Sequence, residues 1–158
     1  MKTYPFMSLS FSLYWMFFWL LNGLDKFIGG RNFGLLTWHG KDRTTQFIGY
    51  YESLNWSGWS VSPILYFAGV VEILVALPFV LCIWLIHFGK SADKTLGLIH
   101  KSLFASFLVF IGFVIFDIIV GDRAELLEHS TYLVVIAVSY VVSVIEFKVI
   151  PSQNQTAM

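Results

Sequence analysis

From residue 62 to residue 87 the chain runs SPILYFAGVVEILVALPFVLCIWLIH, and Glu72 is the one Asp, Glu, Lys or Arg in it. As a helix rising about 1.5 Å per residue, such a run crosses a hydrocarbon core of about 30 Å. Lipid offers no partner to backbone N–H and C=O groups, so only helices and closed barrels span it. A run without polar alternation is a helix. Three more runs have the same character, over 8–28, 95–120 and 124–150. The first is too long and too aromatic for a secretory signal, and no small-residue cleavage site follows it, so it reads as a span.

The composition agrees. Hydrophobic residues make up 57% of the 158, aromatic residues 18% and charged residues 13%, where a soluble domain carries about 25% charged. Ten basic and ten acidic side chains cancel. That balance argues against a nucleic-acid partner, which calls for a basic patch. Cys82 is the single cysteine, so there is no internal disulfide and no thiolate metal cluster. It reads as a small buried hydrophobe.

These features predict an all-α integral membrane four-helix bundle. The whole chain, 1–158, is one transmembrane domain, with a loop at 29–61 and a loose tail at 151–158. The loop is wet at Lys41, Asp42 and Arg43 but keeps Trp38, Phe47, Tyr50, Tyr51, Trp56 and Trp59. Such rings favour the headgroup level, so the loop is expected to cap one membrane face, with a short interfacial helix over 44–54. Ser62 is expected to cap the second span, with Pro63 at its first position, and Pro78 to kink it. Turns at 89–94 and 121–123 make the last three helices antiparallel neighbours and leave both termini on one side. Lys2, Lys90, Lys94, Lys101 and Lys148 lie on that side, and Lys26, Arg31, Lys41, Arg43 and Arg123 on the other. The positive-inside count is therefore even. The long loop tolerates its charges, which leans the termini towards the cytoplasm.

A carboxylate deep in a span is costly, by about 2.5 kcal/mol or more, and by default marks a site. Glu72 shares a helix face with Gly69 and Ala76, small residues that let a neighbour come close. Asn22, Asp25 and Lys26 fall at i, i+3 and i+4 on the first helix. Asp117 lies near the loop-side end of the third, with Ser102, Ser106, Phe110 and Phe113 along its stripe. His129, Tyr132, Ile136, Ser139, Ser143 and Glu146 step along one face of the fourth. Asn22, Asp25, Lys26, Asp117, Glu128 and His129 are thus expected at one end, with Glu72 deeper on the same axis. Two readings stay open. In one, these groups line a pocket for a quinone head group or for protons. In the other, Glu72 or Asp117 pairs with Lys26 and the serines knit helices together. Haem between His87 and His100 is not expected, because the two meet only at the membrane edge. No ligand spacing supports a metal at His39 or His129, and no catalytic motif is present.

The residues Asn22-Gly23-Leu24-Asp25-Lys26-Phe27 and Ala68-Gly69-Val70-Val71-Glu72-Ile73-Leu74 resemble the DoxX-like family of small four-helix membrane proteins. The family pattern is a Gly closely followed by Lys, then a loop, then Gly-x-x-Glu in an apolar run. Gly23, Lys26, Gly69 and Glu72 match it. The loop here is longer and more aromatic than is usual in the family. The family includes the small quinone-reducing membrane subunit of thiosulfate:quinone oxidoreductase. The resemblance therefore implies a bacterial or archaeal cytoplasmic membrane and a link to quinone redox chemistry. The expected role is an accessory or quinone-facing subunit of a larger respiratory-type electron-transport complex, non-catalytic by itself, with lipid and other membrane subunits as partners. A small proton-linked transporter with Glu72 as the titrating group, and a purely structural or assembly protein, are the alternatives.

Overall fold

The computed structural model describes residues 4–89 and 91–149. The expected tail at 151–158, Ile150, and the charges Lys2 and Lys90 lie outside the described residues. Among the described residues the chain is helical, and its one extended pairing is an isolated bridge between Asn32 and Thr37. The helices are α1 (Phe6–Ile28), α2 (Arg43–Ser53), α3 (Val61–His87), α4 (Ala92–Val120) and α5 (Arg123–Val144). A 3-10 turn, Gly58–Ser60, leads into α3, and a π-helical turn, Ile145–Val149, ends α5. Four segments are long and apolar enough to cross a membrane: Phe6–Ile28, Gly58–His87, Ala92–Val120 and Arg123–Val149. The chain is an integral membrane protein.

The chain divides into two compact units, one of residues 17–76 and one of residues 1–16 with 77–158. In the unit of residues 17–76, α1 and α3 are in contact through Gly23 and Gly69. Phe27 stacks on Tyr66, ring centroids 5.5 Å apart and planes 6° from parallel. The short helix expected over 44–54 is α2, Arg43–Ser53. It starts at Asp42, whose carboxylate accepts the Thr45 N–H at 3.0 Å and the Thr45 hydroxyl at 2.7 Å. A carboxylate at that position satisfies an orphan donor and faces the positive end of the helix dipole. Those hydrogen bonds hold the Asp42 carboxyl below its ordinary range. Tyr51 with Phe47 of α2 packs on Val61 and Leu65 of α3.

The start of α3 differs from expectation. Ser62 is not its cap. The 3-10 turn Gly58–Ser60 runs into the helix at Val61, so Ser62 and Pro63 fall inside the first turn. A missing N–H is tolerated there as well. The helix then continues through Pro78 to His87.

In the other unit, α4 and α5 pack along their lengths. The turn between them is Gly121, in the left-handed region at φ 76°, and Asp122, which caps α5 by accepting the Ala124 and Glu125 N–H groups at 3.0 Å each. The α4 stripe of Ser102, Ser106, Phe110 and Asp117 is buried, as are Ile136, Ser139 and Ser143 of α5. Trp15 of α1 packs edge-on against Phe110 and donates its indole N–H to Ser139 Oγ at 3.1 Å. The interior serines return their protons to their own helices: Ser12 to Ser8 O, Ser102 to Leu98 O, Ser106 to Ser102 O and Ser139 to Val135 O. This is how these hydroxyls are carried inside an apolar interior. Cys82 is buried, 3.7 Å from Ser102 Oγ. Since the Ser102 proton goes to Leu98 O, the thiol is the donor.

The first amides of α1 are satisfied from far along the chain. Glu146, in the π-helical turn, accepts Met7 N–H at 2.8 Å on Oε1 and Ser8 N–H at 2.6 Å on Oε2. A carboxylate with two oxygens on two orphan donors at a helix N-terminus combines capping with the dipole.

Candidate functional site

The site around Glu72 begins with two glycines. A Cβ on Gly23 would lie 2.7 Å from Ile73 Cγ1 and 2.8 Å from Gly69 O. A Cβ on Gly69 would lie 2.7 Å from Phe27 Cε2 and 3.0 Å from Gly23 O. The two backbones therefore touch, which small residues permit in lipid. That approach brings the next turn of each helix into reach. Lys26 Nζ donates to Glu72 Oε2 at 2.6 Å and to Asn22 O at 3.3 Å. The Lys26 and Glu72 side chains keep 9% and 4% of their surface exposed. A buried charge is tolerable when it is paired and hydrogen-bonded in this way. Asn22 turns its amide back to Phe18 O at 2.8 Å.

Asp25, though at helical spacing from Asn22 and one residue from Lys26, serves the loop. Its Oδ1 accepts the Trp38 indole N–H at 2.7 Å and its Oδ2 accepts the Lys41 amide at 3.1 Å. Gly40, at φ 56°, has no room for a Cβ against the same carboxylate. Gly30 N donates to Trp38 O and Trp38 N to Arg31 O, at 2.8 and 2.9 Å. The chain from residue 29 to residue 41 is thus folded back onto the end of α1. At its far point Phe33 N bonds Leu36 O across Gly34, and Phe33, Leu35 and Leu36 are exposed.

The second cluster is in the other unit. His129 Nδ1 and Asp117 Oδ2 are 2.6 Å apart, and Glu125 Oε2 lies 3.8 Å from His129 Nε2. Asp117 and Glu125 are buried. Phe113 and Phe110 pack beside the imidazole, with centroids at 5.0 and 6.0 Å, and Tyr132 stacks on Phe110. Glu128 is exposed and accepts from the Tyr132 hydroxyl at 3.3 Å. An imidazole with a carboxylate towards each nitrogen can hold a proton and orient it.

The seven residues expected along one axis divide between the units, Glu128 falling in the unit of residues 1–16 and 77–158. Asn22, Asp25, Lys26 and Glu72 belong to residues 17–76, and Asp117 and His129 to the other unit. Three functional features were missed in the sequence: Glu125, Glu146 as a cap, and Gly23 as the partner of Gly69. Glu125 had a visible signal, its i, i+4 spacing to His129. His100 bonds Ser143 and lies on the Tyr140 ring, centroids 4.2 Å apart. It lines an apolar groove of about 410 Å³ with Phe104, Phe107 and Tyr140. His87 packs edge-on against Phe88, and His39 lies in the loop.

Comparison with protein-family models, with curated proteins and with solved structures finds no match to this chain.

Proposed function

We propose that this chain is a DoxX-like membrane subunit. It forms a four-helix bundle and serves as an accessory component of a larger respiratory-type redox complex in a prokaryotic cytoplasmic membrane, with its termini in the cytoplasm. The observation that supports this reading is the meeting of the two motifs behind the resemblance. Gly23 opposes Gly69, and Lys26 closes on Glu72 at 2.6 Å. The carboxylate that most invited a quinone or proton pocket has Lys26 as its partner, which suits a helix lock better than an open pocket. The subunit's role is then to present lipid-facing helices and an aromatic loop to redox subunits, rather than to carry out chemistry itself.

The test is purification of the tagged chain from native membranes in mild detergent. Redox subunits should accompany it in fixed proportion, and a chain that runs alone overturns the proposal. The second reading, a proton-linked carrier, is favoured by the Asp117–His129–Glu125 cluster. It requires transport by the chain alone in vesicles, abolished in His129→Gln with the fold intact.

A further inference from the structure

Ser8 carries a buried polar atom that the fold leaves unsatisfied. The residue is 2% exposed, and its hydroxyl makes no hydrogen bond. Its amide is held by Glu146 at 2.6 Å. The residue lines a small cavity in the unit of residues 1–16 and 77–158. The room there for the centre of a water molecule is about 10 Å³, close to the least that one water requires.

Three further serines line the same cavity, Ser12, Ser139 and Ser143. Each has already given its proton away: Ser12 to Ser8 O at 2.8 Å, Ser139 to Val135 O at 2.8 Å and Ser143 to Tyr140 O at 2.7 Å. What they retain is lone pairs. Ser139 uses one for the Trp15 N–H. Ser143 uses one for His100, 3.2 Å away. Because the Ser143 proton is committed, His100 Nε2 is the donor. The wall therefore offers acceptors from three serines and one uncommitted O–H, that of Ser8.

We infer that this cavity is an internal water site. A single water accepts from Ser8 Oγ and donates to two of the other serine hydroxyls, the usual complement of about three bonds for a buried water. The wall selects for that chemistry. An anion would face lone pairs, and an apolar guest would leave Ser8 unmatched. With the water in place, one hydrogen-bonded chain runs from the Trp15 indole through Ser139, the water and Ser143 to His100.

The experiment is a density map of the intact protein in lipid nanodiscs, at a resolution that shows ordered water, for wild type, Ser8→Ala and Ser8→Thr. The expected result is a peak in wild type within about 2.7–3.0 Å of Ser8 Oγ, kept in Ser8→Thr and lost in Ser8→Ala. Ser8→Ala should then leave the Tm unchanged or lower it. An empty wild-type cavity overturns the inference. In that case Ser8→Ala should raise the Tm, because deleting a dry, unmatched hydroxyl removes its desolvation cost. A peak that persists in Ser8→Ala overturns the role given to Ser8.

Discussion

Lys26 and Glu72, 46 residues apart in sequence, meet at 2.6 Å because Gly23 and Gly69 leave no side chain between their helices. The pair and the glycines are one device. Removing one partner strands a charge in a nearly dry place, at a cost of about 3–5 kcal/mol. Lys26→Met should therefore destabilise the protein strongly, and Glu72→Gln should do the same. The double variant Lys26→Met/Glu72→Met should recover most of the loss. Thermal unfolding in nanodiscs, read as a double-mutant cycle, checks this, and additive losses would show that the two side chains act independently.

The glycines predict a contrast. Gly69→Ala puts a methyl 3.0 Å from a backbone carbonyl that cannot swing away, and Gly23→Ala puts one at 2.8 Å. Both should force the helices apart and lengthen the Lys26–Glu72 contact, at a cost of about 1–3 kcal/mol. Gly49 of α2 has nothing within 4 Å of its virtual Cβ. Gly49→Ala should raise stability by about 0.5–1 kcal/mol, the ordinary gain for leaving glycine inside a helix. Parallel melting curves test both signs.

Asp25 makes the loop part of the helix end. Asp25→Ala removes the acceptor of both Trp38 Nε1 and the Lys41 amide. Hydrogen exchange at residues 38–41 should quicken about tenfold, the equivalent of about 1.4 kcal/mol lost locally, while α4 and α5 stay protected. Gly40→Ala, which thrusts a methyl onto the same carboxylate at a left-handed φ of 56°, should have a similar local signature.

Acid should loosen α2 before the spans. The Asp42 carboxyl is held below its ordinary range by the Thr45 amide and hydroxyl. Its folded-state pKa is thus lower than its unfolded one. The capping contribution is complete above the unfolded value, near 3.8, and is lost as pH falls through the folded value below it. Exchange at the Thr45 amide should rise below about pH 4, and Asp42→Asn should flatten that dependence.

The spans were legible because hydrocarbon allows few alternatives. The run 62–87 became Val61–His87, and 8–28 became Phe6–Ile28. The third helix starts earlier than its hydropathy, at Ala92, because Asp93 is welcome in a first turn. The fourth ends in a π-helical turn, which has no hydropathy signature. At the candidate site, periodicity told which residues share a face but not what that face meets. It grouped Asp25 with Lys26, and the two turned to different partners. Ser62 looked like a cap only because a preceding 3-10 turn cannot be read from residue type. The Lys26–Glu72 pair was one of several possible acid–base matches, and what selected it was the absence of two side chains at Gly23 and Gly69.

The bond from Glu146 to the amides of Met7 and Ser8 has a consequence for how the protein is made. Those amides leave the ribosome 138 to 139 residues before their acceptor does. Until Glu146 has been made, the first turn of α1 lacks this acceptor. Closure of the first turn of α1 therefore waits on the synthesis of Glu146. A chain stalled short of Glu146 would carry an α1 whose first amides have no carboxylate to cap them.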